Sequence, residues 1–213
     1  MKNMTIKTAL LLLFIGEIFS ALSIISDITM IGTGVAYLPI VMVVGFIITL
    51  IGVIKLRNSC MQFNDVFKCT IAVIALAIAM VIIGSIRTAN YPDVYSDGAK
   101  TFEIINAIIW VFIKVIQLFI VIRTVEGAAV VTQSENNVGL GKVAVRLYIA
   151  GVAVFVICEI LDMIFKYSIS TNARDTLGLI FNLVGAVAVV ASEVIFIIFL
   201  FKSYKEMNPE LRE

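Results

Sequence analysis

The sequence predicts an all-α polytopic membrane bundle: six transmembrane helices, arranged as three hairpins, with both termini cytoplasmic. Three observations carry this. The 213 residues are 61% hydrophobic and 15% charged, with a mean hydropathy of +1.09, against about 45–50% and about 25% in soluble domains. The apolar residues gather in six blocks of about 18–25 residues, each long enough to span a bilayer as a helix. The basic residues are distributed unevenly between the loops on the two sides.

The expected spans are about 8–26, 35–54, 69–86, 102–123, 144–165 and 177–201, in a single domain covering 1–213. The first follows a short basic stretch and shows no clear small-x-small cleavage site, so it reads as a retained span rather than a removed signal. The second carries Pro39 in its first turns, where a missing N–H does little harm. The segment 58–68 reads as a polar loop, and the third span ends at Arg87. The Tyr-Pro-Asp and Ser-Asp-Gly turn signals that follow mark a loop. The fourth span is the most informative. The stretch 125–142 contains three glycines and a Ser-Glu-Asn-Asn cluster and is expected to be a flexible loop with, at most, a short surface helix.

With six spans, Lys2, Lys7, Lys55, Arg57, Lys68, Arg123, Lys142, Arg146, Lys202, Lys205 and Arg212 fall on one side, eleven in all. Four fall on the other: Arg87, Lys100, Lys166 and Arg174. Basic residues concentrate on the cytoplasmic side, hence the predicted orientation. Each hairpin also ends in a basic exit, at Lys55-Leu-Arg57, Arg123 and Lys202. Three parallel hairpins would give a pseudo-threefold bundle rather than an inverted repeat.

Net charge is +1 and there is no histidine. The first fact speaks against nucleic-acid binding. The second removes the commonest metal ligand and the usual general base near neutral pH. No phosphate-binding, dinucleotide, metalloprotease or nucleophile-elbow motif occurs. The chain is expected not to be an enzyme and to carry no cofactor or metal. Cys60 and Cys69, read as lying in one short loop, and Cys158, inside a span, have no metal-site spacing.

Within the fourth span Glu103, Asn106, Trp110, Lys114 and Gln117 are spaced 3, 4, 4 and 3 apart. At 100° per residue they share a face about 80° wide. A lysine near mid-span must face protein or water, because lipid exposure costs about 2.5–3.5 kcal/mol on insertion scales. Glu17, Glu159, Asp162 and Glu193 also lie inside expected spans. Counting 1.5 Å per residue from the basic end puts Glu17, Lys114 and Glu193 all at about 14–15 Å, Glu159 at about 20 Å and Asp162 at about 24 Å. Lys114 is therefore expected within salt-bridge or water-bridge reach of Glu17 or Glu193, with Glu159 one turn away.

Small and polar residues share faces with these groups. Gly178, Asn182, Gly185, Ala188 and Ser192 form one stripe in the sixth span, Gly151, Cys158, Asp162 and Lys166 another in the fifth, and Gly45, Thr49 and Gly52 a third in the second. Such stripes let helices approach closely.

Two readings of function follow. One is a small-solute or ion transporter, or the membrane-embedded binding subunit of one, with a pathway through Lys114, Glu17, Glu193, Glu159, Asn106, Gln117, Trp110, Asn182 and Ser192. One lysine cannot neutralise three carboxylates, and the surplus calls for a proton, a cation or water. The other is a non-catalytic accessory or scaffold subunit that binds another membrane protein or lipid, with the charged cluster fixing helix register. Trp110 stacks on a ligand in the first reading and is a packed indole in the second.

Ile-Gly-Val-Ile-Lys-Leu-Arg-Asn-Ser-Cys-Met-Gln-Phe-Asn-Asp-Val-Phe-Lys at 51–68, and Lys-Ser-Tyr-Lys at 202–205, resemble stretches of small six-span membrane proteins of Gram-positive bacteria. That group has no assigned activity. The resemblance implies a bacterial plasma membrane and carries over no functional residue.

Overall fold

A computed structural model describes residues 2–33, 39–91, 96–133, 135–168 and 171–207. Within these, the side chains of 2–4, 23–33, 39–42, 135–136, 166–168, 171–176, 179, 182 and 186 lie outside the described set. The described chain forms six helices: α1 (Lys2–Thr33), α2 (Pro39–Leu56), α3 (Met61–Asn90), α4 (Asp97–Thr132), α5 (Glu135–Ser168) and α6 (Thr171–Glu206). Five are long and apolar enough to cross a membrane by length and composition, with stretches at Thr5–Leu22, Met61–Asn90, Asp97–Thr132, Asn137–Phe165 and Leu183–Glu206. The described apolar part of α2, Val43–Leu56, is shorter.

The helices run well past the expected spans. The segment 58–68, expected as a loop, is a turn over 57–59 followed by α3, which starts at Met61. Cys60 is the residue before that helix and Cys69 lies inside it, so the two cysteines do not share a loop. The expected flexible loop 125–142 is corrected more fully. α4 continues to Thr132, ends on Gln133 in the left-handed conformation at φ 52°, and α5 begins at Glu135. Two of the three glycines there, Gly127 and Gly141, sit in close packing, while a Cβ on Gly139 would meet nothing within 4 Å. A Cβ on Gly127 would lie 3.0 Å from the Phe63 ring, and one on Gly141 3.1 Å from the Phe199 ring. Asn137 is buried and donates through Nδ2 to Ser203 Oγ at 2.9 Å, while Ser203 donates to the Phe199 carbonyl. The polar residues of this stretch thus tie α5 to α6.

Each hairpin packs on itself, α1 with α2, α3 with α4 and α5 with α6; α6 then meets α1, and α4 meets α5. The helices follow one another around the bundle in chain order. α2 and α3 touch far less than the other neighbours, although only residues 57–60 join them. Small residues set the close approaches. A Cβ on Gly16 would lie 2.9 Å from Thr49 N, and one on Gly151 would lie 2.9 Å from both Ala188 O and Ser192 Oγ.

The largest buried apolar cluster sits at the end that carries the termini. It takes Ile6 to Leu13 from α1, Val53 and Leu56 from α2, Phe63 and Val66 from α3, Val121 to Ala128 from α4, Ala144 to Val152 from α5 and Phe196 to Leu200 from α6. At the same end Arg123 links α3 to α4, with Nε 3.5 Å from Asp65 Oδ2 and Nη1 2.7 Å from Glu126 Oε2. The charged residues of the spans lie beyond this apolar floor, toward the opposite end.

Candidate functional site

α4 is the wall from which the site is built. Its helical period brings Glu103, Asn106, Trp110, Lys114 and Gln117 to one side. Lys114 is 8% exposed, and its ammonium lies 5.3 Å from the Trp110 ring centroid and 5.4 Å from that of Phe155 on α5. Trp110 and Phe155 meet edge to face at 6.5 Å. The position of Phe155 traces back to α6, since a Cβ on Gly185 would already lie 3.5 Å from Phe155 Cδ2. α6 thereby packs against the ring that faces the lysine.

Lys114 interacts electrostatically with Glu193 on α6 and Glu159 on α5. Among the described residues it forms no hydrogen bond and no ion pair within 4.0 Å. The direct salt bridge that equal depths allowed is not made between these described residues; the ammonium instead lies against two aromatic rings, a contact worth about 2 kcal/mol when desolvated. Glu193 is 5% exposed, and its Oε2 is buried with no hydrogen-bond partner among the described residues. Glu17, half-buried on α1, interacts with Glu193 rather than with Lys114. The order through the bundle is Glu17, Glu193, Lys114, Glu159: two carboxylates, a cation, and a third carboxylate.

Glu159 opens this row to a cleft of about 190 Å³ between α4 and α5, lined by Glu103, Asn106, Ala107, Trp110, Glu159, Asp162 and Met163. The cleft lies toward the end opposite the termini. Glu103 is held by Arg87 of α3, whose Nη2 lies 3.3 Å from Oε1. Asn106 Oδ1 is buried without a hydrogen-bond partner among the described residues. Trp110 stays 39% exposed.

No protein-family model, curated protein or solved structure matches the chain. The site is therefore read from its own geometry.

The remaining sequence candidates fall elsewhere. Gln117 sits near Lys114 on α4 but outside the cleft lining, with Oε1 buried and without a hydrogen-bond partner among the described residues. Ser192 donates to the Val189 carbonyl at 2.7 Å and packs against Gly151, so its hydroxyl is taken up in the α5–α6 contact. The side chain of Asn182 lies outside the described residues.

Tyr148 is the residue that sequence reasoning missed. It is 5% exposed, stands edge to face with Phe196 at 6.4 Å, and interacts electrostatically with both Glu193 and Glu17. A span starting near 144 puts Tyr148 in its first turn, where tyrosines usually mark the interface. With α5 starting at Glu135, it lies nearly four turns into the helix. Recognition that the Gly-containing stretch before it is helical was the missing signal.

Proposed function

We propose that this chain is a six-span protein of the bacterial plasma membrane, with both termini cytoplasmic. Its proposed role is to bind a small solute or ion within the membrane, as a transporter or as the membrane-embedded binding subunit of one. One observation carries the reading: a buried lysine without a salt bridge among the described residues stands between a buried carboxylate, Glu193, and a cleft-lining one, Glu159. Ionisable groups inside a membrane are costly and mark ligand or ion pathways. An ion pair kept only for register would close into direct contact, since a buried charge is tolerated best when fully paired. The apolar cluster beyond Tyr148 would close the path at the terminus end, so the site faces the opposite side.

The test is ligand-dependent thermal stabilisation of the purified protein against a panel of small ions, amines, carboxylates and zwitterions. A ligand that binds only the folded state raises Tm by mass action. At least one class should stabilise the wild type, and Lys114→Met should fold yet lose that response. Equal stabilisation of both proteins removes Lys114 from the site.

A second reading, an accessory subunit with a structural cluster, is favoured by Ser192. Its hydroxyl is spent on its own helix and on the contact with Gly151. On that reading Lys114→Met mainly lowers thermal stability.

A further inference from the structure

The binding reading leaves the class of ligand open, and the lining of the cleft narrows it. The polar groups around it are the carboxylates Glu103, Glu159 and Asp162 and the amide of Asn106; among the described residues no lysine or arginine lines it. Glu103 is engaged by Arg87. Glu159 has no hydrogen bond and no ion pair within 4.0 Å among the described residues, and it interacts electrostatically with Asp162 and Lys114. Among the described residues no group of three or more His, Cys, Asp or Glu side chains is arranged to hold a metal ion. The cleft also has an aromatic wall, the partly exposed indole of Trp110, whose ring already attracts one ammonium, that of Lys114. Lys114 is more than nine-tenths buried against that wall and uses none of its three N–H donors on a protein acceptor among the described residues. Aromatic faces attract ammonium groups and recognise quaternary ammonium ligands, and a carboxylate beside one adds charge attraction.

The geometry points to a small organic monocation as the ligand, its ammonium held between the Glu159 carboxylate and the Trp110 face, with Asn106 Oδ1 as a further acceptor. The inference rests on the binding role proposed above and specifies its substrate class. At about 30 Å³ per water-sized group, the cleft holds a molecule of about six such groups. Lys114 gives the site a response. A cation at Glu159 competes with the Lys114 ammonium for that carboxylate and leaves Glu193 as its remaining partner. Ligand entry on the cleft side would thus be transmitted to the buried Glu193–Glu17 pair.

The chain has one tryptophan, so fluorescence of the detergent-purified protein reports this site directly. n-Butylammonium and choline chlorides are titrated at constant ionic strength, with sodium acetate and glycine betaine as the anionic and zwitterionic arms. The expected result is a saturable change with the two cations only. Glu159→Gln should weaken it about tenfold or more, as loss of a charged hydrogen-bond acceptor does. Glu126→Gln, at the level of the apolar floor and away from the cleft, should leave the affinity unchanged. Circular dichroism and Tm establish that each variant is folded. If Glu159→Gln does not fold, Asn106→Leu serves instead, and a several-fold loss is expected. Saturation by acetate or betaine without the cations overturns the monocation class but leaves a binding site at Trp110 standing. Wild-type affinity in a folded Glu159→Gln or Asn106→Leu protein places the amine elsewhere and overturns the proposal. Silence of all four probes overturns the class; if no solute in the stabilisation panel acts through Lys114 either, the binding role falls with it.

Discussion

The ammonium of Lys114 lies 5.3 Å from the centre of the Trp110 ring, one turn away on the same helix. The 3.6-residue period brings positions i and i+4 together, and Phe155 from α5 completes the bracket at 5.4 Å. Charge and aromatic faces thus hold the lysine between Glu193 and Glu159, with no direct ion pair among the described residues.

Removal of the ring should be felt by the lysine. Trp110→Leu is expected to lower stability by about 1–2 kcal/mol beyond the change in apolar packing, since a desolvated cation–π contact is of that size. Chemical denaturation of the variant should show that loss, and Trp110→Phe should recover part of it. Identical stability of the Leu and Phe variants argues that the ring acts through packing alone.

The small-residue contacts separate two glycines of similar appearance in the sequence. At Gly151 a Cβ would lie 2.9 Å from the Ala188 carbonyl oxygen, whereas at Gly185 the nearest atom would be 3.5 Å away. Gly151→Ala should destabilise by about 1–3 kcal/mol, the usual range for overpacking. Gly185→Ala should be close to neutral, and Gly185→Leu should drive into Phe155 and disrupt the Lys114 bracket. Thermal unfolding in detergent gives the order, and the reverse ranking contradicts the α5–α6 contact described here.

Hydrogen exchange tests the helical reading of 125–142. Amides in the interior of 125–132 and 138–142 should be protected for far longer than an open loop allows, because they lie in α4 and α5. Asn137→Ala should speed their exchange and cost about 1–2 kcal/mol by deleting the bond to Ser203 and the buried amide. Uniformly fast exchange across the stretch restores the loop.

Reporter fusions at Asn90 and Ser170 test the proposed topology. Both should read as external if eleven of the basic residues sit in cytoplasmic segments. A cytoplasmic signal at either position removes the six-span arrangement.

Much of the architecture was legible because long apolar stretches mark helices, and these survive in the order and pairing of the helices. The ends were not. Glycine and polar residues at 58–68 and 125–142 carry the signature of loops, yet Gly127 and Gly141 are small because Phe63 and Phe199 press on them. Spacing on α4 identified Lys114, Trp110 and Asn106, since one helical face is a property of sequence alone. It did not foresee Phe155, which faces the lysine through a packing contact with α6, or Tyr148, whose depth depends on where α5 begins. Ser192 was singled out for its chemistry, but its hydroxyl turns back to the Val189 carbonyl, a rotamer choice that composition does not reveal.

The most direct test of the central claim, that Lys114 and Glu193 act in one buried electrostatic unit, is a double-mutant cycle on stability. Lys114→Met strands a buried carboxylate and should destabilise, Glu193→Gln should do so by a different amount, and the double variant should be more stable than the two losses predict. The account predicts a coupling of about 0.5–3 kcal/mol, the range for residues that share a network. Additivity within about 0.3–0.5 kcal/mol, the behaviour of distant and independent sites, would contradict it.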